Sequence, residues 1–166
     1  MSLPTEYYFS DRPDEFKNEI SMYLERMSRE MNGYSDSFVP YAEGATSAGS
    51  GTYSTQKGFY FIDRNFVDIF ISIIWSAHSG TGNLRIVLPF ISQKAATDYF
   101  VGSVEAAVQT YPSSCTYATC KMESGTRYMN ILGCQSGGGS VAFPVASAAN
   151  FKCTIRYPIQ SDQIGL

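Results

Sequence analysis

Residues 58–90 read GFYFIDRNFVDIFISIIWSAHSGTGNLRIVLPF, and their alternation decides the fold. From Phe66 to Trp75, one face of an extended chain carries Val67, Ile69, Ile71, Ile73 and Trp75. The other carries Phe66, Asp68, Phe70, Ser72 and Ile74, because successive side chains of a strand point to opposite sides. The first face is wholly apolar and the second is mixed. Such a strand sends its first face into a core and leaves its second partly wet. Upstream, Tyr53 to Gln56 and Gly58 to Ile62 read as two shorter strands, with DRN at 63–65 as a turn. Downstream, SAHSGTG at 76–82 is a loop whose two glycines accept a positive φ. NLRIVLPF then returns as a strand, and Pro89 marks its end or an edge position.

The same grammar continues to the C-terminus. YPSS, ESGT, QSGGGS and ASAAN punctuate strands near 100–109, 115–123, 127–134, 140–145 and 151–157. Regular short strands separated by turn residues predict an antiparallel β-sandwich or jelly-roll-like domain. Composition agrees: only 16% of residues are charged, with 14 Gly, 12 Tyr and 11 Phe. The 166 residues suffice for one sizeable core, and no internal repeat is visible.

The N-terminal quarter is different. PTEYYFSDR at 4–12 reads as an extended aromatic arm. A helix follows, with Asp11 as N-cap, Pro13 in the first turn and Asp14 and Glu15 at the positive end of the helix dipole. Phe16, Ile20, Leu24, Met27 and Met31 form one apolar stripe, and Gly33 is the stop. The stripe either packs on the protein's own sheet or meets its copies in a short bundle. AEGATSAGSGT at 42–52 reads as a linker. The expected division is an arm and helix over 1–41, acting as stalk or trimerisation segment, a linker over 42–52, and a β head over 53–166.

Several function classes fall away on charge and chemistry. A net charge of −3 gives no long-range pull on phosphate backbones, so nucleic acid is not an expected partner. The N-terminus lacks an apolar signal core, and the run 66–75 is too short to cross a bilayer as a helix, so no membrane insertion is expected. A surface so poor in charge is best tolerated where a partner subunit covers it. Cys115, Cys120, Cys134 and Cys153 form no CxxC pair. Buried free thiols in a reducing compartment are favoured over an irregular four-thiolate zinc cluster.

The candidate reactive groups do not assemble in sequence. His78 is the one imidazole, lies between Ala77 and Ser79, and reads as a residue that hydrogen-bonds its own turn rather than as a base. Asp63, Asp68, Asp98, Glu105, Glu123 and Asp162 show no spacing that picks out a glycosidase pair. GTG at 80–82 and GGG at 137–139 lack the lysine and helix of a phosphate loop and read as hairpin turns. Tyr99, Tyr111, Tyr117 and Tyr128, near loops and strand ends, could stack on sugars, though most aromatics of a β-protein are core. No catalytic, cofactor-binding or metal-binding residue is assigned, no cofactor is expected, and receptor-contacting residues are not identified.

Residues 51–90 resemble a segment of bacteriophage tail fibres and related virion appendages. The pattern is carried by Tyr53, Gln56, Gly58, Tyr60, Trp75, the loop from His78 through Gly80 and Gly82, and the return Leu84, Arg85, Ile86, Leu88, Pro89 and Phe90. Val87 stands where the family commonly has glycine, and IDRNF lacks the family's usual turn glycine. The resemblance implies a homotrimeric, non-enzymatic β-domain on a phage virion, near the host-contacting end of a fibre, with its motif residues serving as scaffold. It further implies docking to other virion proteins through the N-terminal segment, and a host surface glycan or protein as receptor. The alternatives are a head-fibre or capsid decoration protein, differing in what the N-terminus docks to, and a stand-alone carbohydrate-binding module, which would be monomeric with an exposed aromatic platform. A glycan depolymerase would need an acidic pair in a groove.

Overall fold

The long alternating run forms half of a hairpin. In the computed structural model, which describes residues 17–18, 20–24, 33–94, 100–107 and 110–160, ten strands follow one another. They are β1 (Tyr34–Phe38), β2 (Tyr41–Gly44), β3 (Gly51–Asp63), β4 (Phe66–His78), β5 (Leu84–Val87), β6 (Val101–Ala107), β7 (Cys115–Met122), β8 (Tyr128–Gln135), β9 (Ser140–Ala142) and β10 (Ala149–Pro158). The pieces 53–56 and 58–62, read as separate strands, are one: β3 runs unbroken across Lys57, with its register shifted at Tyr53. β4 extends three residues past Trp75. The β3–β4 turn keeps the predicted DRN position, and Arg64 takes the left-handed conformation at φ 57°.

Every pairing is antiparallel, and the order is β1-β3-β4-β10-β6-β7-β8-β5-β2, with β9 added to β8. The protein is mainly β with a minor N-terminal helix, as the sequence predicts. The two layers of the expected sandwich are one continuous sheet that curls on itself. Its two ends, β1 and β2, are consecutive in the chain and separated only by Val39 and Pro40.

Cross-links seal that junction. Gln56 Nε2 donates to Pro40 O at 2.9 Å. The Tyr53 hydroxyl accepts from Ala42 N at 3.0 Å and donates to Ala42 O at 3.1 Å. Inside lie the side chains that the alternation assigned there. Val67, Ile69, Ile71, Ile73 and Trp75 are buried, against Phe151, Cys153, Ile155 and Tyr157 of β10 and against Leu84, Ile86, Met129 and Ile131 from the other half. The polar tips of the largest rings are satisfied: Trp75 Nε1 donates to Ala146 O at 3.0 Å and Tyr157 Oη to Phe90 O at 3.1 Å.

Two expectations about organisation need correction. Residues 42–52 are not a linker. Ala42 to Gly44 belong to β2, Gly51 opens β3, and the intervening backbone is bonded through Ala45 N to Asn83 O and Thr46 N to Thr81 O. Small residues are needed there because the chain passes close to the 79–83 loop. A Cβ on Gly44 would sit 2.1 Å from Thr81 O. The β-domain therefore begins near residue 34, inside the segment read as arm and helix. The helix is present at 17–18 and 20–24, with Ile20 half-buried and Met22 and Leu24 exposed. Phe16, Met27 and Met31 of its apolar stripe, and the 4–12 arm, lie outside the described residues. Gly33, the predicted stop, has φ 72°.

Candidate functional site

His78 bonds its own turn, and it does more. Its Nδ1 accepts from Gly80 N at 2.9 Å, which leaves the proton on Nε2, and Nε2 donates to Ala42 O at 3.0 Å. The ring packs beside Trp75 at 5.7 Å and Tyr53 at 6.4 Å. Both nitrogens are thus committed to backbone groups, and the motif loop serves as a clasp between β4 and β2.

The acids are occupied separately. Asp63 and Asp68 both face Arg156, at 3.4 and 3.3 Å, and Glu105 pairs with Lys152 at 3.1 Å. One guanidinium thus bridges both carboxylates on the outer face. Glu123 contributes its carbonyl, which accepts from Ser92 and Thr126 hydroxyls. Asp98, Asp162 and Tyr99 lie outside the described residues. Among the described residues, no three His, Cys, Asp or Glu side chains converge on a common metal position. The cysteines are unpaired thiols, with Cys120 and Cys153 buried and Cys115 and Cys134 half-buried. Burial pushes the Cys120 thiol up to about 12 and raises that of Cys153 as well.

The tyrosines divide. Tyr111 packs edge-on against Phe143, with ring centres 5.3 Å apart, and belongs to the core. Tyr128 lies 3.8 Å beneath the guanidinium of Arg85, which is held by Glu43 at 2.7 Å. That stack lies on the outer side of β2, β5 and β8. Tyr117 is exposed on β7.

The feature that sequence reasoning left unassigned is the outer face of β3, β4, β10 and β6. The register sets Phe59 opposite Phe70, Phe61 opposite Asp68 and Asp63 opposite Phe66. Phe70 in turn faces Thr154, and Thr154 faces Ser103. Four phenylalanines point outward there: Phe59 is 47% exposed, Phe61 36%, Phe66 37% and Phe70 48%. Phe59 and Phe70 are neighbours, with ring centres 6.3 Å apart. Arg156 sits over the Phe66 ring at 5.3 Å while holding Asp63 and Asp68. Beside Phe70 an open depression of about 530 Å³ is lined by Lys57, Ser72, Glu105 and Lys152 among others. The signal was present in the mixed face of the 66–75 run. What the sequence could not show is that β3 contributes Phe59 and Phe61 to that same side.

No protein-family model matches the chain, and no curated protein matches it. Among solved structures, the chain is similar to the Dettilon tailspike protein (gp208), with a TM-score of 0.58 and 22% sequence identity over 77% of this chain. The chain spans 24% of the length of that tailspike chain. At this level of identity the likeness establishes a shared fold.

Proposed function

We propose that this chain is a non-enzymatic β-domain of a bacteriophage tail appendage, assembled as a homotrimer and serving host attachment from the virion. The observation that carries the reading is the fold shared with part of a tailspike over 77% of the chain. Two further points support it. The segment 51–90, which resembles phage tail fibres, acts here as scaffold: Trp75, Leu84, Ile86 and Leu88 fill the core and His78 clasps β2. The imidazole and the carboxylates at 63, 68 and 105 are held in backbone bonds or ion pairs, an arrangement that suits adhesion and structure rather than catalysis. The N-terminal helix, with Met22 and Leu24 exposed, suits a stalk that joins the domain to its copies and to other virion proteins.

Two measurements test this reading. Light scattering of the full chain should give three times 18.3 kDa, and the coding sequence should lie among phage tail genes. A monomer, or a locus without phage genes, would refute it.

A further inference from the structure

Resting on the trimeric reading, we infer that the outer face of β3, β4 and β10 is the surface through which copies of this chain meet. Phe59 and Phe70 stand at the centre of the contact. The apolar content of the face comes first. Four rings, each between a third and a half exposed, present on the order of 300 Å² of contiguous aromatic surface, given about 200 Å² per ring. A patch of that size is at the level where monomers show a functional surface. A standard interface covers roughly 800 Å² per partner, so the polar side chains around the rings would have to be covered with them.

Charge then selects the occupant. Lys57, Lys152 and Arg156 share the face with Asp63, Asp68 and Glu105, three of each sign. A face with no net charge offers nothing to a polyanion or a polycation. It complements an equally neutral, mixed surface, and a second copy supplies one. The open depression of about 530 Å³ beside Phe70 lies on the same face.

The path of the chain points the same way. Gly33 lies against the ring of Phe61, so close that a Cβ there would be 2.4 Å from it. The backbone that opens β1 therefore borders this face at its Phe61 end. The opposite outer face, on β2, β5 and β8, carries the Glu43–Arg85–Tyr128 stack and the exposed Tyr41 in place of four outward phenylalanines.

The test compares the full chain with a Phe59→Ser/Phe70→Ser double variant and with Thr154→Arg. Thr154 is exposed next to Phe70, so an arginine there leaves every ring in place and blocks close approach. Light scattering across a dilution series should give a trimer for the wild type. Both variants, with wild-type circular dichroism, should fall to 18.3 kDa or associate at least tenfold more weakly. If the double variant loses its fold, Thr154→Arg decides alone. A trimeric wild type with both variants still trimeric would overturn the assignment and leave the trimeric reading standing; the face would then be covered by another virion protein or by the chain's own N-terminal segment. A monomeric wild type would overturn both.

Discussion

Replacing Gly102 by alanine should be among the most damaging single-methyl changes in the protein. Gly102 lies in β6 where the sheet folds over from β10 to β7, opposite Cys120. A Cβ at this position would stand 2.1 Å from Thr154 O, 2.7 Å from Cys120 Sγ and 2.8 Å from Ile155 Cβ. Carbon approaches a carbonyl oxygen no closer than about 3.3 Å, so β10 must retreat from β6 by roughly 1 Å. The obstruction is backbone and cannot swing aside. Moving it strains ladder hydrogen bonds worth about 0.5–1.5 kcal/mol each, on top of roughly 1–3 kcal/mol for overpacking a filled core. The entropy that alanine removes from the unfolded chain returns only about 0.4–1 kcal/mol. The net is a loss on the order of 3 kcal/mol, which for a domain of this size lowers the melting temperature by roughly 6–12 °C. Thermal melts followed by far-ultraviolet circular dichroism are the assay, with two controls. Gly139→Ala, where a Cβ meets open space, should change stability by less than about 0.5 kcal/mol. Gly58→Ala, where the obstruction is the Phe38 ring, should fall between the two, because a side chain can move. A Gly102→Ala melting temperature within 2 °C of wild type, about the shift of a mere half kcal/mol, would refute the claim that the fold turns on a close backbone approach here.

Ile71→Asp would bury a carboxylate in the core and cost several kcal/mol; soluble protein with an unchanged melting temperature would contradict the face assignment. Stability should decline on the alkaline side. Burial pushes the Cys120 thiol from 9.0 to about 12 and the Tyr60 phenol from 10.0 to about 12. The folded state thus favours their protonated forms, and the stabilisation is complete below pH 9 and lost as pH rises toward 12. A melting temperature flat across that window would argue against these burials. A thiol-reactive dye should label no more than Cys115 and Cys134 quickly in native protein and all four cysteines after denaturation. Rapid native labelling of Cys120 or Cys153 would contradict their positions. His78→Asn should cost about 1–2 kcal/mol through lost bonds to Gly80 and Ala42 while the chain stays folded and keeps its oligomeric state; a change of oligomeric state at retained fold would move the clasp to an interface.

The strands were legible because burial on one face imposes a period of two that nothing else in the sequence imitates. β4 is the clearest case: the residues assigned inward from alternation are the buried ones. The 42–52 segment misled because small residues have two physical uses. They give a chain freedom in a linker, and they let two backbones approach. Here the second applies, as Gly44 against Thr81 and Gly49 against Gly80 show. Composition cannot separate the two, since the difference lies in what the segment passes. The outer aromatic face was half legible for a related reason. A single strand reports its own two faces, but which neighbour adds to them is set by register, and the Phe59–Phe70 pairing follows from a two-residue turn at Arg64 and Asn65 that the sequence located without fixing its consequences.

The closure of the sheet also limits where recognition can occur. Because β1 and β2 stand at opposite ends of the strand order and are joined by two residues, the sheet must wrap around its own side chains. Tyr53, Gln56 and His78 then pin the joint from three positions. The interior is filled by Trp75, Phe143, Phe151 and Tyr157, each at most 2% exposed, so no ligand can be held inside without displacing core. Whatever this domain meets, it meets on the outside. One outer side there is an ion pair stacked on a tyrosine and the other a row of phenylalanines between balanced charges. Ion pairs and hydroxyls lose little by facing water, whereas exposed rings gain free energy only when something covers them. An assembling chain would therefore use the side that carries the paired Phe59 and Phe70 rings for its copies.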